Sequence, residues 1–424
     1  MTSVKVRKPV SLQHLNSWRM QRQFLHRPFG SRNILDLIKS IGWIYSPGCS
    51  TPYLSLWARM SSFRTEDLNR LVFDERKVIQ METLRGCTML VPRDQAAIAL
   101  RIRTRTFTEL AKQARQQMPV SDAEMERLKT AILQSLETGG KTMDQLHRGV
   151  PATLVRDFGP DLKRIGFTSS LSLAVNLLKE EGRVIKMQTR RRLDSSEYSY
   201  VLLSQFLPEV DPFEMRNEEA CTKLAAQYFK AESPARIRDF AWWAGINVTD
   251  AIRGVAELKP ALVTVPVEGT KDEHLIAASD VDDFYGSTLE DSAINLIPYR
   301  DTYLKGQREI VDRFLRLEHA DKPFSRWKGK LINDPLATVI RRGQVIGVWE
   351  WSESRKHIDL LLFEATPKPI EKAIRKRGNE LAGFIRDNLG EIRLQGLDYG
   401  PYQMTGIHDL KALWGQGAQA NVRV

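Results

Sequence analysis

Between Val120 and Leu203 the chain carries a run of local signals that few folds can accommodate. Ser121-Asp122-Ala123-Glu124 has the form of a capping box, with Ser as N-cap and Glu three residues on. Met125, Leu128, Ile132 and Leu136 then mark one helical face, and Gly139-Gly140 ends the helix. Thr142-Met143-Asp144-Gln145 is a second capping box that opens a short helix. Ser170 stands where it would cap a third, with Leu171, Ala174, Val175 and Leu178 on one face and Gly182 as the stop. Val184–Met187 reads as a strand, Arg190-Arg191-Arg192 and Asp194-Ser195-Ser196 as a turn, and Tyr198–Leu203 as the returning strand. Three helices followed by a hairpin with a basic tip is the order of a winged helix. In that fold the third helix can enter a major groove while the wing touches the backbone.

The order recurs on both sides. Asn217 can cap a helix with Cys221, Leu224, Ala225 and Tyr228 on one face. Ser233-Pro234 opens another that ends at Gly245, and Asn247 caps a third through Leu258. Leu262–Val267 follows as a strand, with an acidic stretch in the place of a wing. The first 119 residues fit a further copy with longer helices, its strands at Val78–Met81 and Cys87–Val91 and a helix running from Pro92 toward Met118. The C-terminal part is different. Strands at Ala337–Ile340 and Val345–Trp351 flank Arg341–Gln344, and Ile358–Phe363, a helix at Pro369–Leu389 and a strand at Glu391–Leu397 follow. The expected class is α+β: three tandem winged helices over residues 1–119, 120–215 and 216–267, then a β-rich α+β domain over 268–424.

Charge narrows the partners. The net charge is +11, but Glu268–Asp291 holds eight acids and one base, a local −7 that leaves +18 on the rest. Bases dominate the first 35 residues, a stretch from Arg101 to Arg115, and Arg183–Arg192 with Lys186 inside it. Segregated basic patches suit a polyanion, since each neutralised phosphate releases counterions. Three scattered cysteines argue against a disulfide framework and suit a reducing cytoplasm. No apolar run approaches the length that crosses a bilayer, and the basic, polar N-terminus does not read as a secretory signal.

Most cofactor chemistry has no support. Gly140-Lys141-Thr142 lacks the earlier glycine and the preceding strand of a phosphate-binding loop. The seven histidines and three cysteines show no zinc spacing. Asp280, Asp282 and Asp283 lack the spacing of a calcium loop and read as a solvated acidic segment. Trp349 and Trp351 share one strand face, where core packing is the default. The expectation is a monomer on double-stranded DNA, with no metal, no nucleotide and no other cofactor.

Several blocks in order carry a family resemblance: Leu56-Trp57-Ala58-Arg59, Leu84–Pro92 (LRGCTMLVP), Leu296–Gly306 (LIPYRDTYLKG) and Gly343–Trp349 (GQVIGVW). They resemble the bacterial AlkZ/YcaQ family of DNA glycosylases, which remove alkylated purines and unhook interstrand crosslinks. The resemblance implies three tandem winged helices with a β-rich C-terminal part, and alkylated or crosslinked duplex DNA as partner. It also exposes a departure. The family's catalytic Gln-x-Gln or Gln-x-Asp pair would fall at Tyr45 and Pro47, and Met89 stands where many relatives carry His. No Gln, Asp or Glu occurs from Lys39 to Arg64.

N-glycosidic cleavage passes through an oxocarbenium-like sugar that an amide or carboxylate oxygen stabilises while it orients water. Tyr45 can orient water; Glu82 and Asp301 are the carboxylates to which the chemistry can have moved. Otherwise the chain binds DNA without cutting, as a regulator or lesion sensor. For DNA contacts the candidates are Arg59, Arg85 and Thr88 in the family blocks, and Lys186, Arg190, Arg191 and Arg192 around the basic hairpin. Arg59 is equally open to a structural salt bridge, and Asp301 to pairing with Arg300 or Arg308.

Overall fold

A computed structural model describes residues 8–102, 120–160, 167–211, 214–319, 324–327, 330–390, 392–393 and 421–423. The expected helix toward Met118 beyond Ile102, and most of the expected strand Glu391–Leu397, lie outside these residues.

Helix Ile34–Ile41 starts where the Asn33 side chain accepts from the Asp36 amide, and it buries Leu37, Ile38 and Ile41 completely. A two-residue strand, β1 (Ile44–Tyr45), follows, then helices Thr51–Trp57 and Thr65–Asn69. Strands β2 (Val78–Glu82) and β3 (Thr88–Pro92) form a hairpin, and β1 adds to β3, giving the order β1-β3-β2.

The second unit repeats this plan. Both capping boxes form, at Ser121/Glu124 and at Thr142/Gln145. The third helix, Ser170–Glu180, is capped by Ser169 rather than Ser170, because the Ser170 hydroxyl is buried and donates to the Leu154 carbonyl at 3.1 Å. Strands β4 (Val184–Gln188) and β5 (Tyr198–Leu202) pair antiparallel. Lys141 bridges β5 at Tyr200 through two backbone hydrogen bonds of 2.9 and 2.7 Å.

The third unit has helices Asn217–Glu232, Ile237–Ala244 and Val248–Ala256, then β6 (Leu262–Val265) paired with β7 (His274–Ala277). Here Ala235 takes the bridging role, paired with Leu275 in β7. That commitment explains why the second helix starts at Ile237 and not at Pro234. Arg216 precedes the first helix, so Asn217 is its first residue rather than its cap. The expected boundary at 267 falls inside the β6–β7 hairpin, so the unit runs at least to Ala277. β7 was hidden in the acidic segment, although His274, Leu275 and Ile276 are buried. In all three units a segment ahead of the hairpin joins its return strand: β1 in the first, and a one-residue bridge at Lys141 in the second and at Ala235 in the third.

The C-terminal sheet is antiparallel, ordered β14-β13-β12-β11-β8, from β8 (Ile294–Ile297), β11 (Thr338–Arg341), β12 (Gln344–Ser352), β13 (His357–Leu362) and β14 (Asn421–Arg423). A separate hairpin joins β9 (Phe324–Trp327) and β10 (Lys330–Pro335). Arg342 and Gly343 turn the β11–β12 hairpin with φ of 48° and 81°, the conformation that twist-matched two-residue turns require. Helix Lys368–Phe384 buries Ile370, Ile374 and Leu381. Trp349 and Trp351 lie in the largest core cluster, which joins this sheet to the first unit. A second cluster joins the first and third units and takes in Ile185, Leu203, Phe206 and Leu207 of the second, whose helices pack in a third cluster.

Charged groups cross these seams. Asp301 accepts both nitrogens of the Arg59 fork, at 2.8 and 2.6 Å, with neither side chain exposed. Arg59 also donates to Gln23 (3.4 Å), and Gln23 to Glu232 (3.0 Å), which is paired with the buried Arg19. Gln307 joins Glu232 to Arg313, which reaches Asp239 at 3.0 Å. Arg236 grips Asp239 and holds Asp272 of the acidic segment at 2.9 Å. That segment also supplies Asp280 to Arg22 and Asp291 to Arg342, so its charges are structural partners of basic side chains. No helix among the described residues is long and apolar enough to cross a membrane.

His274 sits in this network with Nδ1 against the Asp272 carbonyl and Nε2 3.2 Å from the Arg313 guanidinium. Arg313 must donate, so Nε2 accepts and stays unprotonated. Burial, then Arg313 and Arg236, push the imidazole from 6.5 down to about 4. The unfolded chain therefore takes up a proton that the folded chain refuses, and stability falls as pH drops from 6.5 to 4. The expected loss is about 3 kcal/mol. Urea midpoints across that window should fall less steeply in His274→Gln; parallel curves would remove His274 as the cause.

A two-faced sheet as candidate active site

The small sheet β1-β3-β2 places the sequence candidates on opposite faces, because strand side chains alternate. Tyr45 and Met89 are cross-strand partners on one face. Tyr45 is 1% exposed in the cluster with Trp243 and Leu224. Its hydroxyl accepts from Arg85 at 2.6 Å, and the Arg85 guanidinium lies 3.9 Å from the centre of the Trp242 ring. Burial pushes the phenol up to about 12 despite Arg85. This face is closed: Tyr45 is a packed neutral phenol with its oxygen engaged. Arg85 is half-buried at the hairpin tip in the left-handed region (φ 54°).

The other face is open at its Glu82 end. A cleft there is lined by Ser46, Pro47, Gln80, Glu82 and Thr88 from the first unit and by Lys186 and Gln188 from β4. Gln80 reaches across β3, its amide nitrogen donating to Ser46 Oγ at 2.8 Å, while its amide oxygen has no hydrogen bond among the described residues. The Gln188 Oε1 atom is buried without a partner. Glu82 accepts from Lys179 with both oxygens, at 2.8 and 2.9 Å. Lys186 Nζ lies 3.6 Å from the centre of the Tyr198 ring. The cleft holds about 30 Å³, space for one or two waters and not for a purine.

The remaining candidates separate. Arg59 and Asp301 pair with each other in the core, and Asp301 also accepts from Ser55 Oγ (2.7 Å) and caps Thr302–Lys305 through the Tyr303 amide (2.9 Å). With no exposed surface, neither a phosphate contact at Arg59 nor a reacting carboxylate at Asp301 is compatible with this geometry. Arg192 is tied to Asp194 and to the Leu389 carbonyl, and Asp194 accepts from Ser50 at 2.7 Å, so this side of the hairpin tip is docked onto its neighbours. Arg190 and Arg191 are 68% and 63% exposed and meet Glu197 and Asp74; such surface pairs are worth little and leave both available to an anion. Gln80 and Gln188 were missed. Their signal was strand alternation with Glu82 and Lys186, two residues away in each case.

A family model of AlkZ-like DNA glycosylases matches residues 39–384, which include both faces of this sheet. The chain belongs to the AlkZ-like DNA glycosylase family. Among solved structures it is similar to the Streptomyces sahachiroi DNA glycosylase AlkZ. The two share 20% identity with a TM-score of 0.67, over 88% of this chain and 96% of that one. At that identity the likeness carries the fold. No curated protein matches. Family membership makes DNA the partner of this mixed helix-and-sheet chain and DNA repair its setting.

Asp301→Asn keeps the shape of the buried pair but leaves Arg59 uncompensated. Such a change is expected to cost about 3–5 kcal/mol, read from the urea midpoint. A cost below about 1 kcal/mol, the scale of an exposed pair, would show that Asp301 is not a structural anion.

Proposed function

We propose that the chain is a monofunctional DNA glycosylase that hydrolyses the N-glycosidic bond of cationic alkylated purines in duplex DNA, without metal or cofactor. The observation that carries this reading is the open cleft, where amide oxygens of Gln80 and Gln188 stand unpaired beside Pro47, the position of the second family glutamine. The three units are read as winged helices over residues 8–102, 120–211 and 214–277, with a β-rich domain behind them. The basic hairpin of the second, with Arg190, Arg191 and Lys186, then faces the backbone phosphates. The protein acts as a monomer in the cytoplasm, and crosslinked purines are within its substrate class.

The mechanism follows from the donors and acceptors at hand. An N3- or N7-alkylated purine is already a cationic leaving group, so its departure needs no general acid. The sugar that remains carries developing positive charge, which fixed amide oxygens stabilise without protonation. A water in the cleft meets the Gln80 oxygen as acceptor and attacks C1′ as the C1′–N bond breaks; the purine leaves neutral with the bonding pair, and the proton of the attacking water passes to solvent. Glu82, held by Lys179, is a carboxylate of fixed position that adds to the field. The cleft is too small for the base itself, so the base leaves on the outer side. A closed Tyr45 face favours a second reading, a lesion sensor that binds without cutting.

Single-turnover release of an N7-alkylguanine from duplex DNA decides between them. Gln80→Ala is expected to slow release by about 10²–10³ with DNA binding retained, and Glu82→Gln less. Tyr45→Phe is expected to leave the rate within a few-fold. Release that is lost in Tyr45→Phe but kept in Gln80→Ala would return the chemistry to the closed face. Tight binding with no release by the unaltered protein would establish the sensor.

A further inference from the structure

Beyond the glycosylase reading, we propose that a pocket beneath the β11–β12 hairpin binds a phosphate group. It is a cavity of about 100 Å³ lined by Arg316, His319, Arg341, Arg342, Gln13 and Gln344, several times the space one water needs. Three guanidiniums line it; Arg316 meets Glu364 at 2.7 Å, and Arg341 and Arg342 meet Asp291 at 3.7 and 2.9 Å from outside the lining.

Two of its polar side chains keep unanswered atoms. His319 is 8% exposed, and neither ring nitrogen has a hydrogen-bond partner; Arg342 Nε is buried and unpaired as well. Asp291 takes only Nη1 of Arg342, at 2.9 Å. Buried polar groups are nearly always paired, and an unpaired imidazole beside an unpaired guanidinium Nε at a cavity points to a ligand that supplies the missing partners. Planar forks converging from separate elements suit a tetrahedral oxyanion.

The arginines are also held in place. Arg342 adopts φ 48° at the turn, its carbonyl accepting from Ser17 Oγ at 3.0 Å. The next residue must be glycine, since a Cβ at Gly343 would lie 2.3 Å from the Asn16 carbonyl oxygen. Tyr303 donates to the Gly343 carbonyl at 2.8 Å. A site fixed this way loses little freedom when it closes on an anion. A divalent cation fits less well. Glu318, His319 and Glu364 bring ligand atoms within 4.8 Å of one another, but Arg316 already puts its positive charge 2.7 Å from Glu364 and 3.9 Å from Glu318.

The test uses the full chain and inorganic phosphate at constant ionic strength, followed by calorimetry and thermal unfolding. Phosphate is expected to bind and raise the melting temperature. Arg316→Ala and Arg342→Lys should each weaken it about tenfold or more, the lysine keeping the charge but losing the fork. Circular dichroism of both variants without phosphate controls for folding. Duplex DNA separates the sources. If DNA competes and Arg316→Ala lowers its salt slope by about 0.9, the group is a backbone phosphate. If DNA binding is unchanged while the phosphate response falls, it is free phosphate or a phosphate monoester. Both outcomes support the pocket. No response to phosphate, an equal response in the variants, or a response to Zn²⁺ alone would overturn it.

Discussion

The buried pair of Arg59 and Asp301 is the point from which the rest of the architecture hangs. Two fully enclosed charges lose their hydration, and only a fork-to-fork geometry with every remaining lone pair occupied offsets that cost. Asp301 meets the requirement with Arg59, Ser55 and the Tyr303 amide. Through Gln23, Glu232 and Gln307 the same network reaches Arg313 and Asp239. Most links, such as Arg59–Asp301, Gln23–Glu232 and Arg313–Asp239, join residues from distant parts of the chain, so the units share their buried charges. Asp239 shows the outcome: despite burial, Arg236 and Arg313 hold its carboxyl below the usual range.

This cross-bracing decides which face of the β1-β3-β2 sheet is available. The third unit is drawn against one face, where Trp242 and Trp243 cover Arg85 and Tyr45. The second unit meets the first through β4, the Lys179–Glu82 pair, the Ser50–Asp194 contact and the apolar side chains Ile185, Leu203, Phe206 and Leu207, which join the cluster around Tyr45. The polar end of that seam leaves room for water, and there Gln80 and Gln188 line a small cleft. A tyrosine in the place of a family glutamine thus fits its surroundings, with a bulky side chain filling the sealed side.

Much of the local structure was legible in the sequence because its causes are local. The capping boxes at Ser121 and Thr142 form as their spacing implies, and the hairpins at Lys186 and at Arg342-Gly343 follow from alternation and turn residues. What stayed hidden depends on partners far away in the chain. Nothing near Arg59 announces Asp301, 242 residues on. β7 is masked by acids whose partners, such as Arg236, lie in another element. Ser170 reads as a cap until Leu154 claims its hydroxyl. Gln80 was within reach, since it shares a strand face with Glu82, but a lone glutamine carries no motif and only the fold sets it beside Ser46 and Gln188.

The buried network should bind the first unit, the third unit and the C-terminal sheet into one cooperative body. Native-state hydrogen exchange tests it most directly. Amides of Leu12–Arg22, Asn217–Glu232, Ile237–Ala244 and Thr302–Lys305 should exchange through one opening, with a common free energy and denaturant dependence. The helices of the second unit, which pack in a cluster of their own, should open at lower cost. Independent, low-energy opening of Asn217–Ala244 while Leu12–Arg22 stays protected would contradict the account.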